Sequence, residues 1–475
     1  MKGEISMAQT FGLIVGNRGF FPDELAKEGR SKILEVLEKK GFEVVAPSTE
    51  DTKFGTIETW EDAQKCARLF DENRHRIEGI IITLPNFGDE RAAAQTIRLS
   101  GLNVPVLVHA FPDQINALDV QNRRDSFCGK LSICNNLKQF QIPFSLTSYH
   151  TEDPDSSIFG EDLEWFAGVC RVVKGFKNLK AGAVGARPAA FNTVRFSEKI
   201  LESYGISVET IDLSEIIGNM NRLDNNNLKV KGKLQEIKDY IDTAGIPEEA
   251  LVKMAKLLVV LEEWIEATGV SLFSFQCWNS IEENYGIMPC TVMSMFSEKL
   301  IPAACEVDLV GGLSMYALQL ASQKPSALVD WNNNFGDDPD KAILFHCSNF
   351  PKSLLQGARM GYGDIISSSV SKEKAYGTCY GTIPNGELTL ARLATNDEEG
   401  NLISYIAEGE ITPDKVNTFG GIGVAKIEDL QDLLKYICIN GFEHHVAISL
   451  SQSGDILSEA FENYLRIETY YHNIY

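Results

Sequence analysis

FGLIVGNRGFFPDELAKEGRSKILEVLEKKGFEVVAP (residues 11–47) reads as one β-α-β unit. FGLIV is a continuous apolar run, the mark of a strand buried on both faces. GNRGFFP follows as a loop. From Glu24 onward apolar residues recur at helical spacing until Gly41, which stops the helix. FEVVAP is the second strand. IEGIIITLPN (77–86) and VPVLVHA (104–110) continue the rhythm, each running into loop residues. Helices packed on both faces of a parallel sheet are the natural solution.

The rhythm restarts at LKAGAVG (179–185), with ARPAAFN as loop, TVRFSEKILESYG as helix and ISVETIDLSE as the next strand. A long helix is expected around PEEALVKMAKLLVVLEEWIEATG (247–269). VSLFSFQCW, IPAACE and SALVDW then read as strands separated by helices near MPCTVMSMFSEKL and LSMYALQLAS. Beyond residue 345 the texture changes. Polar and apolar residues alternate between Gly, Asn and Asp turns, which predicts antiparallel strands. A helix at IEDLQDLLKYICING and a strand at FEHHVAISL close the pattern. The expected fold is α/β: two doubly wound parallel-sheet domains (1–173 and 174–345), then a mostly antiparallel β domain (346–475).

A chain of 475 residues is too long for one core. Its net charge of −22 disfavours nucleic acid and anionic membrane as partners, since both are polyanions. No apolar run approaches the roughly 20 residues that span a bilayer, and Met1–Gln9 reads as a short polar leader rather than a signal peptide. Ten cysteines occur without a CxxC spacing. Most lie in apolar runs, such as Cys170 and Cys438, and the expectation is small buried side chains in a reducing cytoplasm. GGIGV (420–424) and GAVGARP (182–188) do not fit a dinucleotide-binding turn, and neither a GxxxxGK[ST] nor a GxSxG string is present.

Glu306 ends the strand IPAACE, and Asp330 lies at the end of the next one, SALVDW. Successive parallel strands deliver their carboxyl ends to one crevice, where ligands collect. Two carboxylates there resist joint ionisation unless a cation is present. Histidine is scarce, seven in all. EHHVA places His444 and His445 together on an apparent strand, where adjacent residues face opposite sides, so at most one of them is expected to face a given pocket. His346 in LFHCSNFP is a further candidate, while His75, His109, His150 and His472 read as surface or loop-end residues. Carboxylates plus imidazoles suit Mn²⁺ or a similar ion, with Co²⁺ or Mg²⁺ as alternatives, better than a thiolate zinc site. A glutamate at a strand end also serves as a cap or a surface charge, and DWNNN also fits an Asn-rich turn.

MPCTVMSMFSEKLIPAACEVDLVGGLSMYALQ and DWNNNFGDDPDKAILFHCSNFP closely resemble the core of the L-fucose isomerase / L-arabinose isomerase family. GARPAAFNTVRFSE and EHHVAIS fit the same family, and the resemblance covers most of the chain. It implies an Mn²⁺-dependent aldose–ketose isomerase in which Glu306 and Asp330 bind the metal and handle protons. It also implies His445 as the late metal ligand and His346 as a counterpart of a further ligand in the arabinose branch. An Asp at position 330 resembles the fucose branch, since the arabinose branch has Glu there.

Polar side chains must also hold an open-chain sugar. Gln276 and Trp278 in SFQCWNS, Asn332 in DWNNN, His444, and Arg18 in the first βα loop are the candidates. Arg18 would act across a subunit boundary, because family members assemble as oligomers, here expected as a trimer or hexamer, with shared sites. Two other readings stay open. One is an isomerase of a modified sugar such as sulfoquinovose, its sulfonate held by Arg18, Arg124 or Arg195. The other is a sugar-binding module without catalysis.

Overall fold

The structure, a computed structural model, describes residues 9–347 and 349–472. The expected polar leader lies outside the described residues apart from Gln9. The chain divides into two compact units, Met1–Lys174 with Asn463–Leu465, and Gly175–Glu462 with Arg466–Tyr475.

The first unit is built on a five-stranded sheet, β1 (Thr10–Val15), β2 (Glu43–Val45), β3 (Ile77–Leu84), β4 (Val106–Ala110) and β5 (Ser145–Leu146), in the order β2-β1-β3-β4-β5. Every pairing is parallel. Phe11, Leu13 and Val15 of β1 pack on one face with Ile33, Val36 and Leu37 of the helix Asp23–Lys39. Ile14 packs on the other with Phe70 and Ala63 of the helix Trp60–Glu72. The strand alternation thus feeds two apolar layers, which is why the strands carry no polar face. His109, expected near the surface, is fully buried at the end of β4. Its Nε2–H donates to the Glu152 carbonyl and its Nδ1 accepts from the Thr83 hydroxyl, each at 2.8 Å. Burial drives its pKa down to about 3.

The second unit holds two sheets. The smaller is parallel, with β6 (Leu179–Val184), β7 (Ile206–Ile211), β8 (Leu272–Phe275) and β9 (Ala303–Cys305) in the order β7-β6-β8-β9. The larger contains β10 (Ala327–Asn334), β11 (Lys341–His346), β12 (Gln356–Tyr362), β13 (Tyr376–Thr382), β14 (Gly386–Asn396), β15 (Asn401–Ile411), β16 (Gly421–Lys426), β17 (His445–Ser449) and β18 (Glu468–His472). Its order is β12-β13-β16-β11-β10-β17-β14-β15-β18, mostly antiparallel. Pairing of β15 with β16 closes six of these strands into a ring. Leu251, Met254, Leu258, Leu261 and Ile265 of the helix Glu248–Thr268 share one core with Phe273 of β8, Leu344 of β11 and Tyr405 of β15.

Two parallel sheets and an antiparallel one therefore follow in chain order, as the sequence indicates. One assignment changes. SALVDW is not the next strand of the central parallel sheet; it opens the antiparallel one, between β11 and β17. The boundary expected at residue 345 runs through β11. GGIGV contributes to β16, where a side chain at Gly421 would stand 2.1 Å from the Phe350 ring.

Candidate active site and metal centre

Glu306 stands just past β9, where the chain turns into the helix Leu309–Ser322. Glu306 and Val307 both adopt left-handed backbone conformations, φ +60° and +56°. Residues other than glycine hold that geometry at a cost of about 1 kcal/mol or more each. The turn brings Glu306 against Trp278, whose Nε1–H donates to Oε1 at 3.2 Å. The other carboxylate oxygen, Oε2, is buried and has no hydrogen-bond partner.

Three adjacent strands of the large sheet supply the other donors. His346 ends β11, Asp330 lies on β10, and His445 begins β17 directly opposite Asp330. His445 Nε2 is 3.4 Å from Glu306 Oε2 and 3.3 Å from Asp330 Oδ1. His346 Nε2 is 3.9 Å from Glu306 Oε2, and His444 Nε2 is 3.7 Å from Asp330 Oδ1. The ligand atoms of Glu306, His346 and His445 lie within 4.8 Å of one another, as do those of Asp330, His444 and His445. A buried carboxylate oxygen without a partner, facing imidazoles among mixed oxygen and nitrogen donors, fits a metal ion. Burial pushes the Glu306 carboxyl upward, but neighbouring His346 and His445 and the Trp278 bond outweigh it, and it settles below its ordinary value. Burial and the neighbouring His445 lower the pKa of His444.

Both members of the histidine pair reach Asp330, contrary to the strand alternation. The reason is local: β17 starts at His445, so His444 precedes the pleat, and the two rings lie 4.4 Å apart. The Phe191 ring, in the loop after β6, packs 5.9 Å from Trp278, 5.5 Å from His444 and 5.7 Å from His445. Gln276 lies just past β8 and accepts the Ala186 amide at 2.9 Å, so it ties down the same loop. Asn332 is the exposed extra residue of a bulge in β10; its Oδ1 accepts from Asn333. Arg18 belongs to the first unit. It lies past β1, pairs with Glu90 and covers the Phe87 ring at 4.2 Å. In that unit Arg124 donates to the Pro85 carbonyl, while Arg195, in the second, is exposed.

Behind His445 is a polar set that the sequence reading missed. His445 Nδ1–H donates to Asp308 Oδ2 at 2.9 Å. Arg392, on β14, is fully buried and donates to both Asp308 oxygens, at 2.6 and 3.1 Å, and to Glu443 at 3.0 Å. Asp308 Oδ1 also accepts the Gly311 amide at 2.9 Å, capping the helix. Burial raises the Asp308 carboxyl, yet Arg392 and His445 prevail and hold it well below the usual carboxylate range. An arginine in the apolar phase of TLARLAT is the signal that could have exposed this pair, because a buried charge needs a partner.

Residues 12–177 match the family model described as "Fucose/sulfoquinovose isomerase, N-terminal domain". Residues 344–472 match the one described as "L-fucose isomerase, C-terminal domain". Sheets, donor set and matches together define an aldose–ketose isomerase. The chain belongs to the fucose isomerase family, as the resemblance of its core motifs implies. It is 22% identical over 456 residues to "Sulfoquinovose isomerase" of Priestia aryabhattai, covering 95% of this chain and 96% of that protein. The protein of the same name from Clostridium sp. (strain MSTE9) is 25% identical over 324 residues, covering 66% and 69%.

Proposed function

We propose that the enzyme interconverts an aldose of the L-fucose, D-arabinose or L-arabinose type with its ketose through an enediol, with Glu306 and Asp330 as the acid/base couple. The observation that carries this reading is a pair of donor groups that share His445, one with Glu306 and His346 and the other with Asp330 and His444. Glu306, Asp330, His346 and His445 would hold Mn²⁺, with Co²⁺ or Mg²⁺ as substitutes. Bound there, the ion supplies Lewis-acid polarisation of adjacent sugar oxygens. Glu306, kept ionised by its neighbours, and Asp330 are placed to take the proton from C2 and to return one to C1, as oxygen protons exchange between O2 and O1. Trp278 restrains the Glu306 carboxylate during this transfer. Phe191, packed beside Trp278, His444 and His445, supplies an apolar wall on one side of the donors. Gln276, Trp278, Asn332 and His444 are the proposed sugar contacts.

A second substrate reading is sulfoquinovose, favoured by relatives carrying that name over nearly the full length of the chain. We further propose a cytoplasmic homo-oligomer, trimer or hexamer, in which Arg18 serves a neighbouring subunit's site. Support comes from the first unit, which exposes Phe20 (94%), Ile115 (85%) and Val120 (84%) on loops beyond the carboxyl ends of its strands.

A substrate panel on the purified enzyme tests the reading. Turnover of fucose or arabinose that is lost in EDTA and restored by Mn²⁺ is expected. Turnover of sulfoquinovose alone selects the second substrate, and sugar binding without turnover, indifferent to EDTA, overturns the isomerase mechanism.

A further inference from the structure

We infer that Arg392 is a positioning residue for the cation-binding nitrogen of His445, acting through Asp308. The inference rests on the metal-dependent reading above. An imidazole binds a cation only through a nitrogen that carries no proton. Two carboxylates, Glu306 and Asp330, face Nε2 of His445 at 3.4 and 3.3 Å. Nε2 is therefore the nitrogen turned toward the candidate cation position. Asp308 opposes them from the other side at 2.9 Å and holds the proton on Nδ1.

Asp308 can do so only if its plane is fixed, and Arg392 fixes it. The guanidinium meets both carboxylate oxygens in a two-pronged arrangement that admits one orientation. Its remaining edge grips Glu443. Asp308 lies two residues after Glu306, and Glu443 two residues before His445. One buried side chain therefore ties the Glu306 turn to the start of β17. The sequence leaves room for it: a Cβ at Gly311 would stand 2.4 Å from Asp308 Oδ2 and 2.7 Å from Arg392 Nη1.

A plain structural ion pair is the competing account. Buried pairs are often replaceable by apolar groups without loss of stability, and that separates the two. Mn²⁺ affinity, followed by the electron paramagnetic resonance signal of the free ion, and the melting temperature of metal-free protein are measured for three proteins: wild type, Arg392→Met, and Asp308→Asn/Arg392→Met. The single variant is expected to melt lower and bind Mn²⁺ at least about tenfold more weakly, the usual scale for a residue supporting a metal ligand. The double variant regains melting temperature but not affinity. Affinity that returns with stability, or that stays within about threefold of wild type in either variant, overturns the inference while leaving the metal reading intact. Wild type that binds no Mn²⁺ overturns both.

Discussion

Glu306→Gln keeps an oxygen for the Trp278 indole and removes the charge. Turnover is expected to fall at least about 100-fold, with Asp330→Asn similar, since each deletes a proton-transfer group. Steady-state kinetics at saturating Mn²⁺, beside unchanged circular dichroism, would check this; retained turnover in Glu306→Gln would exclude it as base. His109 lends itself to a pH experiment in the first unit. Its folded pKa of about 3 lies below the ordinary 6.5, so the native state refuses a proton the unfolded chain accepts. This stability is fully present above pH 6.5 and is lost as pH falls toward 3. At roughly 1.4 kcal/mol per unit the total is on the order of 5 kcal/mol. Urea unfolding at pH 4.5 and 7 should show a smaller difference in His109→Gln than in wild type. His109, read as a surface or loop-end residue, does sit at a strand end, but its burial was not legible because seven scattered histidines give no local cue to which strand end is covered.

At the level of single elements, the helix Leu309–Ser322 shows propensity and geometry in conflict. Alanine is a better helix former than glycine by about 1 kcal/mol, yet Gly311→Ala is expected to destabilise by roughly 1–3 kcal/mol, since its methyl would intrude between Asp308 and Arg392. Denaturant titration would read the difference, and an unchanged or raised midpoint would show that the pair yields freely. The elements themselves were largely legible. Apolar runs, helical spacing and glycine stops located the strands and helices, because those patterns report local burial. Partner choice was not legible. SALVDW reads as one more buried strand, and nothing within it records that its neighbours are β11 and β17 rather than β9. Glu306, Asp330 and His445 could thus be named from the motifs, while Asp308, Arg392 and Glu443 became visible only when distant segments met.

Across the whole molecule, the exposed apolar loops of the first unit bear on assembly. Ile115→Asp with Val120→Asp is expected to lower the assembled mass in light scattering and to reduce turnover together. Unchanged mass would remove these loops from the proposed interface. The order of segments in the large sheet has a consequence for biosynthesis. β17 is inserted between β10 and β14, strands made long before it. Until it emerges from the ribosome, both neighbours present raw hydrogen-bonding edges, a known invitation to aggregation, and the proposed cation-binding set lacks His445. A nascent chain stopped short of residue 442 should therefore aggregate and lack part of the proposed cation site: the strand that completes the ring also completes that site.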